Sequence, residues 1–183
     1  MNKKKYPWEE YPHIWKSKSK YMTYLRGCLR KAWNTNPIKN QYKNSRQKLI
    51  NNPNPNGRKA EVQGFECELC KEEFIMKEAQ VDHIVGENTL KEPEDIQSFA
   101  ENLLFVNDDD LMLVCKSCHA IKTHQERYNI ETYEEAKLDK EAIAFNKLPI
   151  KRQKELLGID VSEKITKKEL KKVFIDRGGN NAL

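Results

Sequence analysis

The sequence predicts an α+β chain, mostly helical, in which a small metal-stapled core lies between a basic helical N-terminal arm and a helical C-terminal tail. Three observations carry that prediction. Two Cys-x-x-Cys pairs, Cys67/Cys70 and Cys115/Cys118, stand 45 residues apart from Cys70 to Cys115, and four thiolates in two such pairs suit a tetrahedral zinc. Apolar residues recur at helical spacing on both sides of that stretch, with caps and breakers at the ends. Hydrophobic residues make up 38% and charged residues 33% of the chain, against roughly 45–50% and 25% in ordinary globular domains. The core is therefore small, and a bound metal is a common remedy for that.

Along the chain, residues 1–57 read as an aromatic and helical basic arm with its linker. Tyr6, Trp8, Tyr11 and Trp15 lie among prolines that argue against a long helix; they suit either stacking on bases or docking of the arm. From Ser17 or Ser19 to about Asn34 the pattern is helical, with Tyr21, Tyr24, Leu25, Cys28, Leu29 and Trp33 on one stripe and Arg26, Arg30 and Lys31 elsewhere. Asn36-Pro37 ends it, and a second short helix runs from Ile38 toward Ile50. Asn51–Gly57, NNPNPNG, reads as a linker before a core over residues 58–130. Within that core, strands are expected at Glu78–Val85 and Asp110–Val114, an amphipathic helix between them at Glu94–Phe105, and a helix from about Ser117 to Tyr128. In the helical extension, residues 131–183, Thr132-x-x-Glu135 opens a helix that Pro149 closes, and Thr166-x-x-Glu169 repeats the capping signature.

Charge is partitioned along the chain. Residues 1–60 carry 15 Lys/Arg and 2 Asp/Glu, residues 61–119 carry 4 and 15, and residues 120–183 carry 14 and 11. An acidic centre is thus flanked by a strongly basic arm and a mildly basic tail, the footprint of a nucleic-acid binder whose chemistry needs carboxylates near a cation. On this reading Arg26, Arg30 and Lys31 face DNA phosphates. The N-terminus has no apolar signal core and no run approaches membrane-spanning length. The expectation is a cytoplasmic protein with no membrane partner, whose thiols stay reduced and bind metal. The fifth cysteine, Cys28, reads as a small thiol packed in its helix.

Between the cysteine pairs lie Asp82-His83, and His119 follows Cys118 directly. Hydrolysis of a phosphodiester needs an activated water and a cation over the developing charge. A neutral imidazole can take the water's proton near neutral pH, and His83 is the candidate. Asp82 falls on the opposite face of a regular strand.

The segments CELC, VDHI and LVCKSCHAIKT, in this order, resemble the HNH family of ββα-metal nucleases over about Cys67 to His124, roughly a third of the chain. Bacteriophage members with basic extensions around a zinc-stapled core are the most similar. The resemblance implies a strand–strand–helix core, a metal-dependent DNA endonuclease, and a host-cell cytoplasmic setting with phage replication or packaging proteins as further partners. It implies Cys67, Cys70, Cys115 and Cys118 on structural Zn²⁺. His83 becomes the general base, Asp82 and His119 become ligands of a catalytic Mg²⁺ or Mn²⁺, with other divalent ions admissible, and Lys122 reaches a phosphate. One departure stands out: the family's central Asn is here Asp110, in the run Asn107-Asp-Asp-Asp110. Asp110 then either braces the loop that carries the base or joins the metal, with Asn107 able to supply the lost donor. The rival reading is a zinc-stapled DNA-binding regulator whose core has lost activity.

Overall fold

The computed structural model describes residues 5–86 and 89–179. Its architecture is α+β, with helices dominating and two small antiparallel sheets. The chain divides into two compact units, Met1–Lys116 and Ser117–Leu183.

In the first unit the prolines of the arm permit only two single-turn helices, α1 (Pro7–Glu10) and α2 (Pro12–Trp15), before the long helix α3 (Lys18–Asn34). The Ser17 hydroxyl accepts the Lys20 N–H and so caps α3. The arm's aromatics are spent on one another: Tyr6 stacks on Trp8 with centroids 4.6 Å apart, and Trp15 meets Tyr21 edge-on at 4.9 Å. These contacts stay within the arm and α3, and Tyr11 remains 49% exposed. The buried residues of α3 are Met22 and Trp33, while Tyr24 on the expected stripe is exposed. Helix α4 (Pro37–Ser45) has proline at its first position and buries Tyr42.

Helix α4 stops short of Ile50, because the chain turns into a strand. Strands β1 (Lys48–Asn51), β2 (Glu61–Glu66) and β3 (Glu73–Ile75) form an antiparallel sheet in that order, with Ile50 opposite Val62 and Phe65 opposite Phe74. Asn51–Gly57, expected as a linker, is the end of β1 and the first part of the β1–β2 hairpin connection. It holds itself in place: the Asn54 N–H donates to Asn52 Oδ1, the Asn56 N–H to Asn54 Oδ1, and Asn52 Nδ2 to the Lys59 carbonyl at 2.8 Å. Gly64 sits where strands crowd; a Cβ there would come within 2.7 Å of the Phe74 carbonyl oxygen.

A 3₁₀ turn (Met76–Glu78) leads into β4 (Ala79–His83), which pairs antiparallel with β5 (Leu111–Cys115), setting Val81 opposite Leu113 and His83 opposite Leu111. Along β4 the burial alternates strictly: Ala79, Val81 and His83 inward, Gln80 and Asp82 half-exposed. Between the strands, α5 (Asp95–Leu104) buries Phe99 and Leu103, each worth about 1.5–3 kcal/mol of apolar burial. Arg26 and Lys18 of α3 bind this connection, through the Leu90 carbonyl at 2.6 Å and Glu92 at 2.6 Å.

Helix α6 (Lys116–Tyr128) continues directly from β5. The second unit then runs through α7 (Tyr133–Lys147), α8 (Ile150–Leu157) and α9 (Lys167–Asp176). Both expected capping boxes are present, Thr132 with Glu135 and Thr166 with Glu169. Pro149 does end α7, but it also serves as the N-cap of α8, whose last turn closes on Gly158 in the left-handed conformation, φ 64°. Ala142, Phe145, Leu157, Leu170 and Phe174 make the core, with the Phe145 and Phe174 rings stacked at 4.3 Å. His124, on the second half of α6, is inside: its side chain is 10% exposed and its Nε2 lies 2.8 Å from Asp139.

Candidate metal centre and acid-lined cleft

The four cysteines predicted as ligands meet. One Sγ from each of Cys67, Cys70, Cys115 and Cys118 lies within 4.8 Å of the others, and three of the four residues are buried. A tetrahedral thiolate site with metal–sulfur bonds of ~2.3 Å spaces its sulfurs ~3.8 Å apart, so the cluster fits a metal such as zinc. The geometry comes from local turns. After Cys70 the chain takes a left-handed residue, Lys71 at φ 62°, whose N–H donates to the Cys67 carbonyl at 2.9 Å. Cys118 is in the first turn of α6, three residues past Cys115 on the same continuous backbone.

Electrostatics favour thiolate here. Burial pushes the Cys67 thiol up, yet the backbone N–H groups of Cys115, Cys70 and Leu69 together outweigh it and hold the thiol below its ordinary range. The Cys115 N–H lies 3.3 Å from Cys67 Sγ.

A polar clasp, which the sequence did not reveal, fastens the first knuckle to β5. The Glu68 N–H donates to the Leu113 carbonyl at 3.0 Å, and the Leu113 N–H returns the bond to Glu68 Oε1 at 2.9 Å. The hydroxyl of Tyr42, from α4, lies 2.8 Å from the same Glu68 oxygen and 2.9 Å from the Leu111 carbonyl. Burial, then the bond to Glu68, pushes this phenol up to about 12. Arg46 caps the group, its guanidinium 4.4 Å above the Tyr42 ring. The signal available in the sequence was a lone carboxylate between the cysteines of CELC.

His83 ends β4 on its inward face and is 6% exposed. The Trp33 ring covers it at 4.4 Å, and its Nε2 lies 3.1 Å from the Leu103 carbonyl. A carbonyl only accepts, so Nε2 carries the proton and the basic lone pair is on Nδ1. His83 lines a cleft of about 360 Å³ with Glu101, Asn102, Phe105, Asp109 and Asp110. Phe105 is 79% exposed at this cleft.

Asp110 braces its loop. Its carboxylate accepts the Asn107 N–H at 2.9 Å, while Asn107 Oδ1 accepts the Asp109 N–H at 2.8 Å. The Asp110 carbonyl accepts the Ile84 N–H at 2.8 Å and so ties the loop to the residue after His83.

The other expected site residues are placed as follows. Asp82 is half-buried on the outward face of β4, opposite in direction to His83, and accepts the His83 N–H at 3.0 Å. Burial, then Lys43, holds the nearby Lys39 below its ordinary value, and the Asp82 carboxylate partly offsets them. His119 is half-buried in the first turn of α6. Neither Asp82 nor His119 belongs to a group of three or more potential ligands among the described residues. Lys122 is 7% exposed and ion-paired with Glu126. Arg26 is committed to the Leu90 carbonyl, whereas Arg30 and Lys31 are exposed.

Among the described residues, no helix is long and apolar enough to cross a membrane. Comparison with known proteins returns no matching family model, no matching curated protein and no matching solved structure.

Proposed function

We propose that this chain is a divalent-metal-dependent DNA endonuclease of the HNH type, with a structural zinc on Cys67, Cys70, Cys115 and Cys118. The observation that carries the reading is His83: an imidazole held by the Leu103 carbonyl in one tautomer, lining an acid-rimmed cleft at the end of the strand that pairs with the cysteine-bearing β5. In this reading Nδ1 of His83 takes a proton from the attacking water. Asp82 and His119 would hold the catalytic ion, Mg²⁺ or Mn²⁺, which would supply charge stabilisation at the phosphate; this requires β4 to bend at Asp82-His83, whose side chains leave it on opposite faces. Asp110 is assigned to the loop behind His83, where its carboxylate accepts the Asn107 N–H.

The test is cleavage of supercoiled plasmid with added Mg²⁺ or Mn²⁺. His83→Ala should lose ~10²–10⁴-fold in rate, as for a positioned base, with metal affinity unchanged. His119→Ala and Asp82→Ala should weaken metal binding and recover in part at higher metal concentration. A His83→Ala protein that cuts as fast as the parent sinks the assignment. The burial of His83 under Trp33 favours the second reading, a zinc-stapled DNA-binding protein without activity. Retarded but uncut plasmid at every metal concentration would select it.

A further inference from the structure

In the second unit, charge is sorted along the chain. Residues 131–146 carry five Asp/Glu and two Lys/Arg, whereas residues 147–177 carry ten Lys/Arg and five Asp/Glu. The excess is shared: α8 carries Lys151, Arg152 and Lys154 against Glu155, and α9 carries Lys167, Lys168, Lys171 and Lys172 against Glu169 and Asp176. Lys168, Lys171 and Lys172 lie at helical spacings of three and four, so their side chains share one face. They border a groove of about 610 Å³ with Thr166, Glu169 and Ile175. The acid among them is otherwise engaged: both Glu169 contacts go to Thr166, its N–H at 2.8 Å and its hydroxyl at 2.7 Å. No ion pair forms to Lys168, Lys171 or Lys172 among the described residues.

Local stability gives no reason for this arrangement. Lys167 with Lys171 and Lys168 with Lys172 are like-charged pairs four apart on a ten-residue helix, a spacing at which like charges repel. The apolar side of α9 is meanwhile satisfied by the buried Leu170 and Phe174. Lys167 is held by the Asn146 carbonyl at 3.1 Å, whereas Lys168, Lys171 and Lys172 form a row of cations without an ion pair among the described residues.

We propose that this α9 face is a second nucleic-acid contact, in which Lys168, Lys171 and Lys172 lie along the phosphodiester backbone independently of the basic arm. It shares with the proposed function only that the partner is nucleic acid; it requires no cleavage. Three lysines replace about three condensed counterions, which contributes ~2.7 to the slope of log affinity against log salt on duplex DNA and ~2.1 on a single strand. Between 50 and 200 mM salt those slopes correspond to about 40-fold and about 20-fold in affinity.

The experiment measures binding of the full chain to a fluorescent duplex and to a single strand across that salt range, with no divalent ion added. The variant Lys168→Gln/Lys171→Gln/Lys172→Gln should lose that part of the slope, and Lys→Arg at the same three positions should restore it. A control with the same charge change on α7, Lys137→Gln/Lys140→Gln/Lys147→Gln, should bind as the parent does. Equal slopes for parent and α9 variant, or equal losses for the α9 and α7 variants, overturn the proposal. So does an α9-dependent affinity for anionic lipid vesicles with no α9-dependent affinity for DNA. A parent that binds through α9 but never cuts plasmid leaves this proposal standing and removes the nuclease reading. A parent that cuts while the α9 variant keeps its salt slope does the reverse.

Discussion

Tyr42→Phe isolates the clasp that holds the first cysteine pair to β5. The substitution keeps the ring, and so the Arg46 contact at 4.4 Å, and removes only the hydroxyl that meets Glu68 Oε1 and the Leu111 carbonyl. Losing a buried hydrogen bond to a charged group costs about 1.5–3 kcal/mol. Glu68 keeps its bond from the Leu113 N–H and is not left bare, so the loss should fall near the lower part of that range, about 2 kcal/mol. The phenol's displacement to about 12 from 10 has burial as its first cause and the bond to Glu68 as its second, so it reports how strongly the folded chain rejects the phenolate. Its sign is definite. The folded chain keeps the neutral phenol while the unfolded chain ionises near pH 10, so the contribution is whole below that pH and is lost as pH rises toward 12. Urea unfolding of parent and Tyr42→Phe across an alkaline pH series checks this, because groups that titrate in both proteins cancel in the difference. The parent should lead by about 2 kcal/mol at pH ~8, and the gap should close above pH ~10. A gap that stays constant across that range, or no gap at pH ~8, refutes the reasoning.

Cys115→Ser should release one equivalent of zinc and abolish cooperative unfolding of residues 1–116, read by metal analysis and circular dichroism; a well-folded, zinc-free variant would overturn the assignment of the cluster. Asp110→Asn should shift unfolding by less than ~1 kcal/mol and leave cleavage nearly intact, because an amide oxygen can also accept the Asn107 N–H. A large loss with weaker metal binding would instead make Asp110 a ligand.

Much of the helical framework was legible because its signals are local. Thr132 and Thr166 cap where the x-x-Glu spacing placed them, and the helix expected over 94–105 occupies Asp95–Leu104. The four-cysteine cluster was legible for the same reason, since each pair is closed by its own short turn. The three-stranded sheet was not. Lys48–Asn51 and Glu61–Glu66 are short and polar, and what makes them strands is their pairing across the Asn-rich loop, a contact that periodicity within either segment does not encode. Helix α8 is hidden in the sequence because Pro149 reads as a stop, although proline also opens helices. The partners of His83 were hidden more deeply. Leu103 acts through its carbonyl, which every residue has, and no residue-type pattern could single it out.

Trp33 changes how the arm relates to the site. Residues 1–57 read as an arm that supplies affinity to a separate core, yet three of the core's supports come from within them. Trp33 covers His83, Tyr42 clasps Glu68, and β1 forms one edge of the three-stranded sheet. Removing residues 1–50 would therefore uncover the imidazole and unpair β2 as well as remove cations. A loss of DNA binding in such a truncation would not measure the arm's electrostatic contribution. Substitution of the exposed Lys31, which leaves Trp33 and Tyr42 in place, separates the two effects: it alters the salt dependence of binding while the support of His83 stays intact.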